Sequence, residues 1–321
     1  GGAVVRALVT GGAGFIGSHL VDALLARGDD VVVLDNLATG RLDNLPAGVE
    51  VIEGDVTDPD TVARAVAGCE VVFHQAALGS VARSVADPLA SDQANVRGTL
   101  AVLDAAHRAG VRRVVLASSS SVYGGASQVP TPETAPLVPR SPYAVTKLAG
   151  EHYARVFWEL HGLETVCLRY FNVFGPRQRH DSPYAAVIPL FVDALLRGVP
   201  PRVHGDGRQS RDFTFVADAV AANLRAAEAP ADRCAGRAYN IARGRPASLL
   251  ELLDLLSDEL GVSVTPVHTD PRPGDVRHSH ADISAARRDL GYAPAVSFRE
   301  GLARTLAWFR ERAQPTQEKI S

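Results

Sequence analysis

The chain has 321 residues, of which 46% are hydrophobic and 21% charged, a composition that can bury one large domain or a large domain with a small partner. The formal net charge of −3 and the absence of a Lys/Arg block argue against nucleic acid or an anionic membrane as the default partner. No run of about 18 apolar residues occurs in the sequence, so we expect no membrane span.

The first half of the chain alternates apolar runs with helical patterns. The predicted strands are Val4–Thr10, Val31–Leu34, Val49–Ile52, Val71–Phe73 and Val114–Ala117. The predicted helices among them are Gly14–Arg27, Pro59–Val66 and Pro88–Ala109. Because the runs are apolar on both faces and separated by helices, they predict a doubly wound α/β fold with a parallel, Rossmann-like sheet.

The pattern changes after about residue 170, where loops rich in Pro, Gly and Arg interrupt shorter helices such as Leu249–Leu260. We predict a Rossmann-like domain over residues 1–170 and a smaller α/β lobe mainly over 171–321. Later segments such as 212–242 are expected to return to the first domain.

A glycine-rich turn follows the first strand and opens a helix, with Gly11, Gly14 and Gly17 in Thr-Gly-Gly-Ala-Gly-Phe-Ile-Gly. At such a turn the backbone can approach a pyrophosphate, whose charge the helix N-terminus stabilises. Asp35, about 20 residues downstream, would bind an adenosine ribose and repel a 2′-phosphate, which favours NAD over NADP although Arg41 is near. Asp55-Val56 follows the third predicted strand and would contact the edge of the adenine ring, but Asp55 could instead cap a helix.

Tyr143 and Lys147 are spaced i, i+4 in a helical segment and therefore share one helix face. Lowering a phenol pKa from about 10 to about 7 requires roughly 4 kcal/mol of preference for the phenolate, which an ammonium and a positive nicotinamide can supply. The serine run 118–121 follows the fifth strand, at the sheet edge where doubly wound folds bind ligands. We predict a redox centre there.

The three cysteines, Cys69, Cys167 and Cys234, are odd in number and far apart. They predict neither a metal site nor a disulfide framework. The N-terminus enters an apolar run without a charged leader, so we expect no signal peptide and a cytoplasmic location.

Together, TGGAGFIG, the Asp35 strand end, HQAA at 74–77, SSSSVYG and YAVTK resemble the extended short-chain dehydrogenase/reductase family over essentially the whole chain. The resemblance implies bound NAD, Tyr143 as base, Lys147 as its tuner and ribose anchor, and a catalytic serine segment. That segment comprises Ser119, the hydroxyl partner of the phenol, with Ser120 and Ser121. The implied cofactor-binding residues are Gly11, Gly14, Phe15, Ile16, Gly17, Asp35, Asn36, Asp55, Val56, Gln75, Ala76, Ala77, Asn95, Tyr143 and Lys147.

The second half resembles the nucleotide-binding segments of the nucleotide-sugar enzymes in that family. The matching segments are 169–178, 205–213 and 272–275, and their arginines are suited to bidentate pairing with phosphate. The implied substrate-binding residues are Arg83, Asn172, Arg179, Gln209, Arg211, Arg272, Asp275 and Ser279.

The type of reaction depends on Ser120 and Ser121. Sugar 4,6-dehydratases carry Asp-Glu just before Val-Tyr-Gly, and UDP-glucuronate decarboxylases keep a Glu there. The resemblance therefore implies a UDP-sugar 4-epimerase. In such an enzyme the phenolate takes the 4-OH proton and bound NAD shuttles the hydride, while the transient 4-keto sugar rotates to present its other face. A dehydratase, a decarboxylase and an NADPH-dependent nucleotide-sugar reductase are more remote alternatives.

The choice of sugar depends on Arg179, which matches the position where UDP-glucuronate 4-epimerases bind the C6 carboxylate. A charge-assisted hydrogen bond between an arginine and a desolvated carboxylate contributes roughly 1.5–3 kcal/mol to binding. We therefore favour conversion of UDP-glucuronate to UDP-galacturonate, although glucuronate enzymes usually have Thr in place of Asn172. UDP-N-acetylglucosamine and UDP-glucose remain alternatives, because segments 78–84 and 182–189 resemble the acetamido-sugar enzymes and Ser279, at a gatekeeper position, leaves room for a larger sugar.

The resemblance also implies a homodimer built from two long helices. Pro88–Ala109 and Pro142–Gly162 are the candidates. A non-catalytic NAD sensor on the same fold would be expected to lose Tyr143 or Lys147, and this chain has both.

Overall fold

The computed structural model of the protein describes residues 3–126 and 128–313. Each of the five predicted strands is present, and a sixth and a seventh complete the main sheet. These strands are β1 (Arg6–Thr10), β2 (Asp30–Asp35), β3 (Glu50–Glu53), β4 (Val71–His74), β5 (Arg113–Ser119), β6 (Glu164–Tyr170) and β11 (Arg237–Ile241). Helices between the first six are α1 (Phe15–Ala26), α2 (Pro59–Val66), α3 (Val81–Ala86), α4 (Pro88–Asp92), α5 (Gly98–Arg108) and α6 (Pro142–His161).

The seven strands form one parallel sheet in the order β11-β6-β5-β4-β1-β2-β3. Alternate residues of each strand feed two separate cores. Val9 and Val33 belong to one core, whereas the neighbouring Leu8 and Val32 belong to the other. This is why the strands are apolar on both faces. The predicted doubly wound α/β fold is confirmed, and its strand order reverses between β1 and β4, where such folds bind ligands.

The predicted helix Pro88–Ala109 is interrupted. A π-helical turn over Gln93–Arg97 joins α4 to α5. The turn carries the buried side chain of Asn95, whose amide accepts a hydrogen bond from the Leu78 N–H at 2.8 Å and donates to the Leu78 carbonyl at 3.1 Å. The hydrophobic spacing of the sequence does not report this turn, because it depends on a contact with a distant loop.

The second half supplies shorter elements. They are β7 (Val173–Phe174), α7 (Val187–Leu196), β8 (Arg202–His204), β9 (Ser210–Arg211), β10 (Thr214–Phe215), α8 (Val216–Glu228), α9 (Ala231–Cys234), β12 (Ala247–Ser248), α10 (Leu249–Leu260), β13 (Val267–Thr269), α11 (Ser284–Leu290) and α12 (Phe298–Ala313). The short strands pair as β10–β7, β12–β9 and β13–β8. Helix α10 begins with a capping box between Ser248 and Glu251, as its sequence favours.

The chain re-enters the main sheet late, because β11 pairs with β6 and α8 packs against α1. The boundary at residue 170 remains a prediction. Within residues 3–126 and 128–313, we find no helix with the length and apolarity needed to cross a membrane.

Candidate active site

A cavity of about 530 Å³ opens at the carboxyl ends of the central strands. All of the predicted cofactor residues except Asn95 line it. Asn95 lies behind the wall, where it fixes Leu78, which does line the cavity. Sequence reasoning missed Tyr170 at the end of β6, whose hydroxyl donates to Gln75 Oε1 at 2.9 Å. Strand β6 was not among the predicted strands, so nothing in the sequence indicated that the Tyr170 side chain reaches the cavity.

The glycine turn has the shape that a pyrophosphate needs. Gly11 has a φ of +66°, and a Cβ there would lie 2.8 Å from the backbone of Ala76. A Cβ on Gly17 would collide with the Gly11 carbonyl. Helix α1 begins after Gly14, and within the described residues no side chain caps this end. Phe15, Ile16 and Gly17 of its first turn line the cavity, and an uncapped helix N-terminus suits a bound anion.

Asp35 is buried at the end of β2, and backbone groups fix its carboxylate. One oxygen accepts from the Ala13 N–H at 3.0 Å and the other from the Leu37 N–H at 2.8 Å. The guanidinium of Arg41 pairs instead with Asp181 at 3.0 Å. Arg41 is therefore paired away from Asp35, and an acidic residue at the end of β2 fits NAD better than NADP.

The structure places Asp55 in the cavity wall and not at a helix cap. Asp58, not Asp55, caps α2, with its side chain accepting from the Asp60 N–H. Asp55 accepts from the N–H and the hydroxyl of Thr57, and the backbone hydrogen bond holds its pKa below the usual range. Asp55 therefore stays ionised in the cavity wall.

Thr10 and His74 fix the strand end that carries Gln75 and Ala76. The Thr10 hydroxyl accepts from the N–H groups of both residues at 3.1 Å, and lies 2.7 Å from His74 Nδ1. It must therefore donate to Nδ1, which leaves the proton on Nε2, 2.9 Å from the Thr99 hydroxyl. Burial lowers the pKa of His74 to about 3, so the ring is neutral. The sequence motif included His74, but its role was not predicted.

Tyr143 and Lys147 lie together in the wall of the same cavity, with Lys147 Nζ 5.8 Å from the centre of the Tyr143 ring. Lys147 Nζ donates to the Ala117 carbonyl at 3.2 Å. Burial raises the pKa of Tyr143, and a hydrogen bond with the Ser119 side chain partly offsets this effect. Burial lowers the pKa of Lys147 from 10.5 to about 8. The protein groups alone therefore do not make the phenol acidic, and a further positive charge is needed.

The serine segment continues from Ser119 through a short 3-10 turn, Ser120–Tyr123. Ser119 Oγ accepts from the Ser121 N–H at 3.1 Å. In the part of the chain that the structure describes, the buried Ser121 Oγ has no hydrogen-bond partner. Ser119, Ser120 and Ser121 are not among the residues that line the first cavity, whereas Ser118, Tyr143 and Lys147 are.

A second cavity, of about 500 Å³, lies between α7, β8, β9 and the 272–275 loop. Five of the predicted substrate-binding residues line it, namely Asn172, Gln209, Arg211, Arg272 and Asp275. Arg211 pairs with Asp275 at 2.7 Å. Gln209 is buried and donates to the His204 carbonyl, while its Oε1 finds no partner among the described residues. Arginine forks and an unused amide oxygen suit a diphosphate and a polar base.

Three predicted substrate-binding residues lie outside both cavities. Arg83 sits over the ring of Tyr184, 5.1 Å from its centre. The Ser279 N–H donates to the Ser210 carbonyl at 3.1 Å. Arg179 donates to the carboxylate of Asp181 at 3.0 and 3.2 Å and to a backbone carbonyl in the 38–41 loop. Its fork is thus already paired with a carboxylate of the chain, two residues downstream.

Among the residues that the structure describes, no group of three or more His, Cys, Asp or Glu side chains is placed to hold a metal ion. The glycine turn, Asp35 and the Tyr143–Lys147 pair share one cavity at the switch point of a doubly wound sheet. These features define an enzyme of the extended short-chain dehydrogenase/reductase class.

Comparison with known proteins narrows this class. Residues 7–242 match the model of the NAD-dependent epimerase/dehydratase family. The chain is 43% identical over 317 residues to a UDP-glucose 4-epimerase of Mycolicibacterium smegmatis, covering 97% of this chain and 100% of the relative. The chain therefore belongs to the NAD-dependent epimerase/dehydratase family. This membership confirms the predicted NAD dependence and the predicted epimerase-type enzyme.

Solved structures agree with this assignment. A UDP-N-acetylglucosamine 4-epimerase from Methanobrevibacter ruminantium, in complex with UDP-N-acetylmuramic acid, matches with a TM-score of 0.92 and 40% identity, covering 97% of this chain and 100% of that one. MoeE5 in complex with UDP-glucuronic acid and NAD matches with a TM-score of 0.86 and 38% identity, covering 96% and 99%.

Proposed function

We propose that this NAD-dependent epimerase interconverts the 4-epimers of a neutral UDP-sugar, either UDP-glucose or UDP-N-acetylglucosamine. The observation that carries the reaction type is the serine segment beside Tyr143. Hydroxyls, rather than the carboxyl pair of a dehydratase, occupy positions 120 and 121. A phenol with hydroxyl neighbours is equipped to take a proton from a sugar hydroxyl and to return it.

The preference for a neutral sugar is supported by the contacts of Arg179. Its fork pairs with Asp181, and the carboxylate side chain of Asp181 has its pKa lowered to about 2 mainly by that hydrogen bond. In this structure the fork of Arg179 is thus occupied by a carboxylate of the chain, which accounts for its position without a substrate carboxylate. The sequence-based preference for UDP-glucuronate therefore gains no support from this contact. It stays the second candidate, because MoeE5, which resembles this chain, binds UDP-glucuronic acid.

The residues divide the work of such a reaction. When bound in the first cavity, NAD⁺ would accept the C4 hydride and NADH would return it, and the positive ring of NAD⁺ would favour the phenolate of Tyr143. Tyr143 takes the 4-hydroxyl proton, and Ser119 orients the phenol. Arg211 and Arg272 hold the diphosphate in the second cavity while the sugar presents its other face. Asp35 and the glycine turn keep the cofactor in place.

We also propose that the protein is a homodimer, as the family resemblance implies. Neighbouring helices α4 and α6 carry large apolar side chains on the surface, among them Leu89 and Leu160, which are 82% and 72% exposed. Light scattering should give twice the chain mass of 33.9 kDa. Leu89→Glu should lower that mass toward the monomer, and a monomeric wild-type protein would contradict the proposal.

A substrate panel tests the proposed function. The purified protein, without added cofactor, would be incubated with UDP-glucose, UDP-N-acetylglucosamine and UDP-glucuronate, and the products separated by chromatography. We expect a neutral sugar to be converted fastest, and Arg179→Ala to leave that rate within about twofold because a surface ion pair contributes little. Faster turnover of UDP-glucuronate, lost selectively in Arg179→Ala, would overturn the neutral-sugar proposal. Stoichiometric consumption of added NADPH would overturn the epimerase proposal.

A further inference from the structure

Helix α6 carries a third charged residue on its redox face. Glu151 follows Tyr143 and Lys147 at the same four-residue interval, so the three side chains lie along one side of the helix. Lys147 and Glu151 both line a gap of about 10 Å³ between α5, α6, β5 and β6. Glu151 is only 8% exposed, although glutamate is seldom buried without a partner.

The carboxylate of Glu151 joins α6 to two strands at once. The Ser118 hydroxyl donates to one oxygen at 2.6 Å, and Arg169 donates to both oxygens, at 2.9 Å from Nε and 2.7 Å from Nη2. Ser118 and Arg169 are register partners in the β5–β6 pair. A single side chain therefore sets the position of the helix relative to both strand ends.

The polar network continues beyond Arg169 and is satisfied there. Arg169 Nη1 donates to the Tyr123 hydroxyl at 2.9 Å, and that hydroxyl donates to Asn240 Oδ1 at 2.6 Å. Burial raises the pKa of Tyr123 to about 12, so its hydroxyl keeps the proton that it donates. Fully satisfied buried networks of this kind are rigid, because each lost bond leaves a desolvated polar group.

The residues that flank Ser118 are the ones that touch the redox pair. The Ala117 carbonyl accepts a hydrogen bond from Lys147 at 3.2 Å. The Ser119 side chain lies near enough to the Tyr143 phenol to lower its pKa. We propose that Glu151 is a positioning residue: by fixing Ser118 against α6, it sets the distance between the Ser119 hydroxyl and the phenol of Tyr143. The inference rests on the proposed function only in that Tyr143 acts as the base.

The same two strands offer a matched control. Arg113 and Glu164 are register partners at the opposite ends of β5 and β6, and form an ion pair at 2.9 Å with Arg113 almost fully buried. Removing this pair should lower stability, as removing the Glu151 pair does, but it lies far from the redox end of the sheet. Glu164→Asp therefore separates loss of stability from loss of position.

The experiment compares Glu151→Asp, Ser118→Ala and Glu164→Asp in the NAD-containing enzyme. Glu151→Asp keeps the charge but is one methylene too short to reach all of its partners. We expect kcat per bound NAD to fall about 10- to 100-fold, as for a displacement near 1 Å, while KM stays within about twofold. Ser118→Ala should show the same kind of change at smaller size. Glu164→Asp should lower the unfolding temperature and leave kcat unchanged.

A second readout does not depend on turnover. The absorbance of the Tyr143 phenolate can be titrated in each protein as its difference from the same protein carrying Tyr143→Phe. Losing the Ser119 contact should move that titration to higher pH in Glu151→Asp and Ser118→Ala, but not in Glu164→Asp. An unchanged titration in both variants, or a kcat loss no larger than in Glu164→Asp, would overturn the proposal. If wild-type protein converts no UDP-sugar, the proposed function fails, and the titration still decides the role of Glu151.

Discussion

The two cavities of this enzyme are built in different ways. Polar groups of the first cavity sit at the ends of buried parallel strands, where the backbone fixes them; Asp35, for example, accepts two backbone N–H bonds. Polar groups of the second cavity lie on short strands and loops, where side chains hold one another, as in the Arg211–Asp275 pair. The first cavity is therefore preorganised for one reaction geometry, while the second can exchange its internal partners for those of a ligand.

Removing the Tyr143 phenol should have the largest effect on kcat and should separate the roles of the two cavities most clearly. Tyr143→Phe should lower kcat by about 10²- to 10⁴-fold, the contribution typical of a general base. NAD content and affinity for UDP should change little, because the fixed backbone groups of the first cavity and the arginines of the second remain. Steady-state kinetics with calorimetric UDP titration check this. Retained turnover would show that another group is the base.

Removing an arginine from the second cavity should have the opposite signature. Arg211→Ala should weaken UDP binding about 10- to 100-fold, since a hydrogen bond to a charged group contributes roughly 1.5–3 kcal/mol. The value of kcat at saturating substrate should stay nearly constant. Arg277, whose exposed side chain pairs with Asp206 outside the cavity, supplies the control. If Arg277→Ala weakens binding equally, the loss reflects the loop rather than the cavity.

The buried side chain of Lys147 makes the folding stability of the protein depend on pH. Burial lowers its pKa from 10.5 to about 8, so between those values the unfolded chain binds more protons than the folded one. The buried ammonium therefore lowers the free energy of unfolding by its full amount below pH 8, and this destabilisation should disappear as the pH rises from about 8 to 10.5. Lys147→Met should raise the unfolding temperature by a few degrees at pH 7, with a smaller gain at pH 10. Thermal melts of both proteins freed of NAD test this, because weaker cofactor binding by the variant then cannot offset the gain. A gain that grows with pH would contradict it.

The smallest expected effect concerns Arg41. Its exposed side chain pairs with Asp181, outside the glycine turn. Arg41→Ala should change the ratio of NAD to NADP affinity by less than about twofold, because exposed ion pairs contribute about 0–1 kcal/mol. Competitive cofactor binding measures this ratio. A large shift toward NAD would mean that Arg41 reaches the ribose in solution.

The first cavity could be predicted largely from the sequence, and the second only in part. The glycine turn, Asp35 and the Tyr143–Lys147 pair are local patterns that spacing identifies, whereas Gln75, Ala76 and Ala77 were named through the family resemblance. The link from Glu151 to Ser118 and Arg169 depends on which strands pair and in what register, and no local pattern carries that information. Family matching likewise placed Arg179 near a substrate carboxylate, whereas the fold gives it Asp181 as a partner.

One isotope measurement tests the central claim most directly. UDP-glucose with deuterium at C4 would be incubated with the purified protein in ordinary water, and the product analysed by mass spectrometry. If Tyr143 removes only the hydroxyl proton, the C4 hydrogen never exchanges with solvent, and the 4-epimer should keep its deuterium. Release of the deuterium to water during epimerisation would contradict the account.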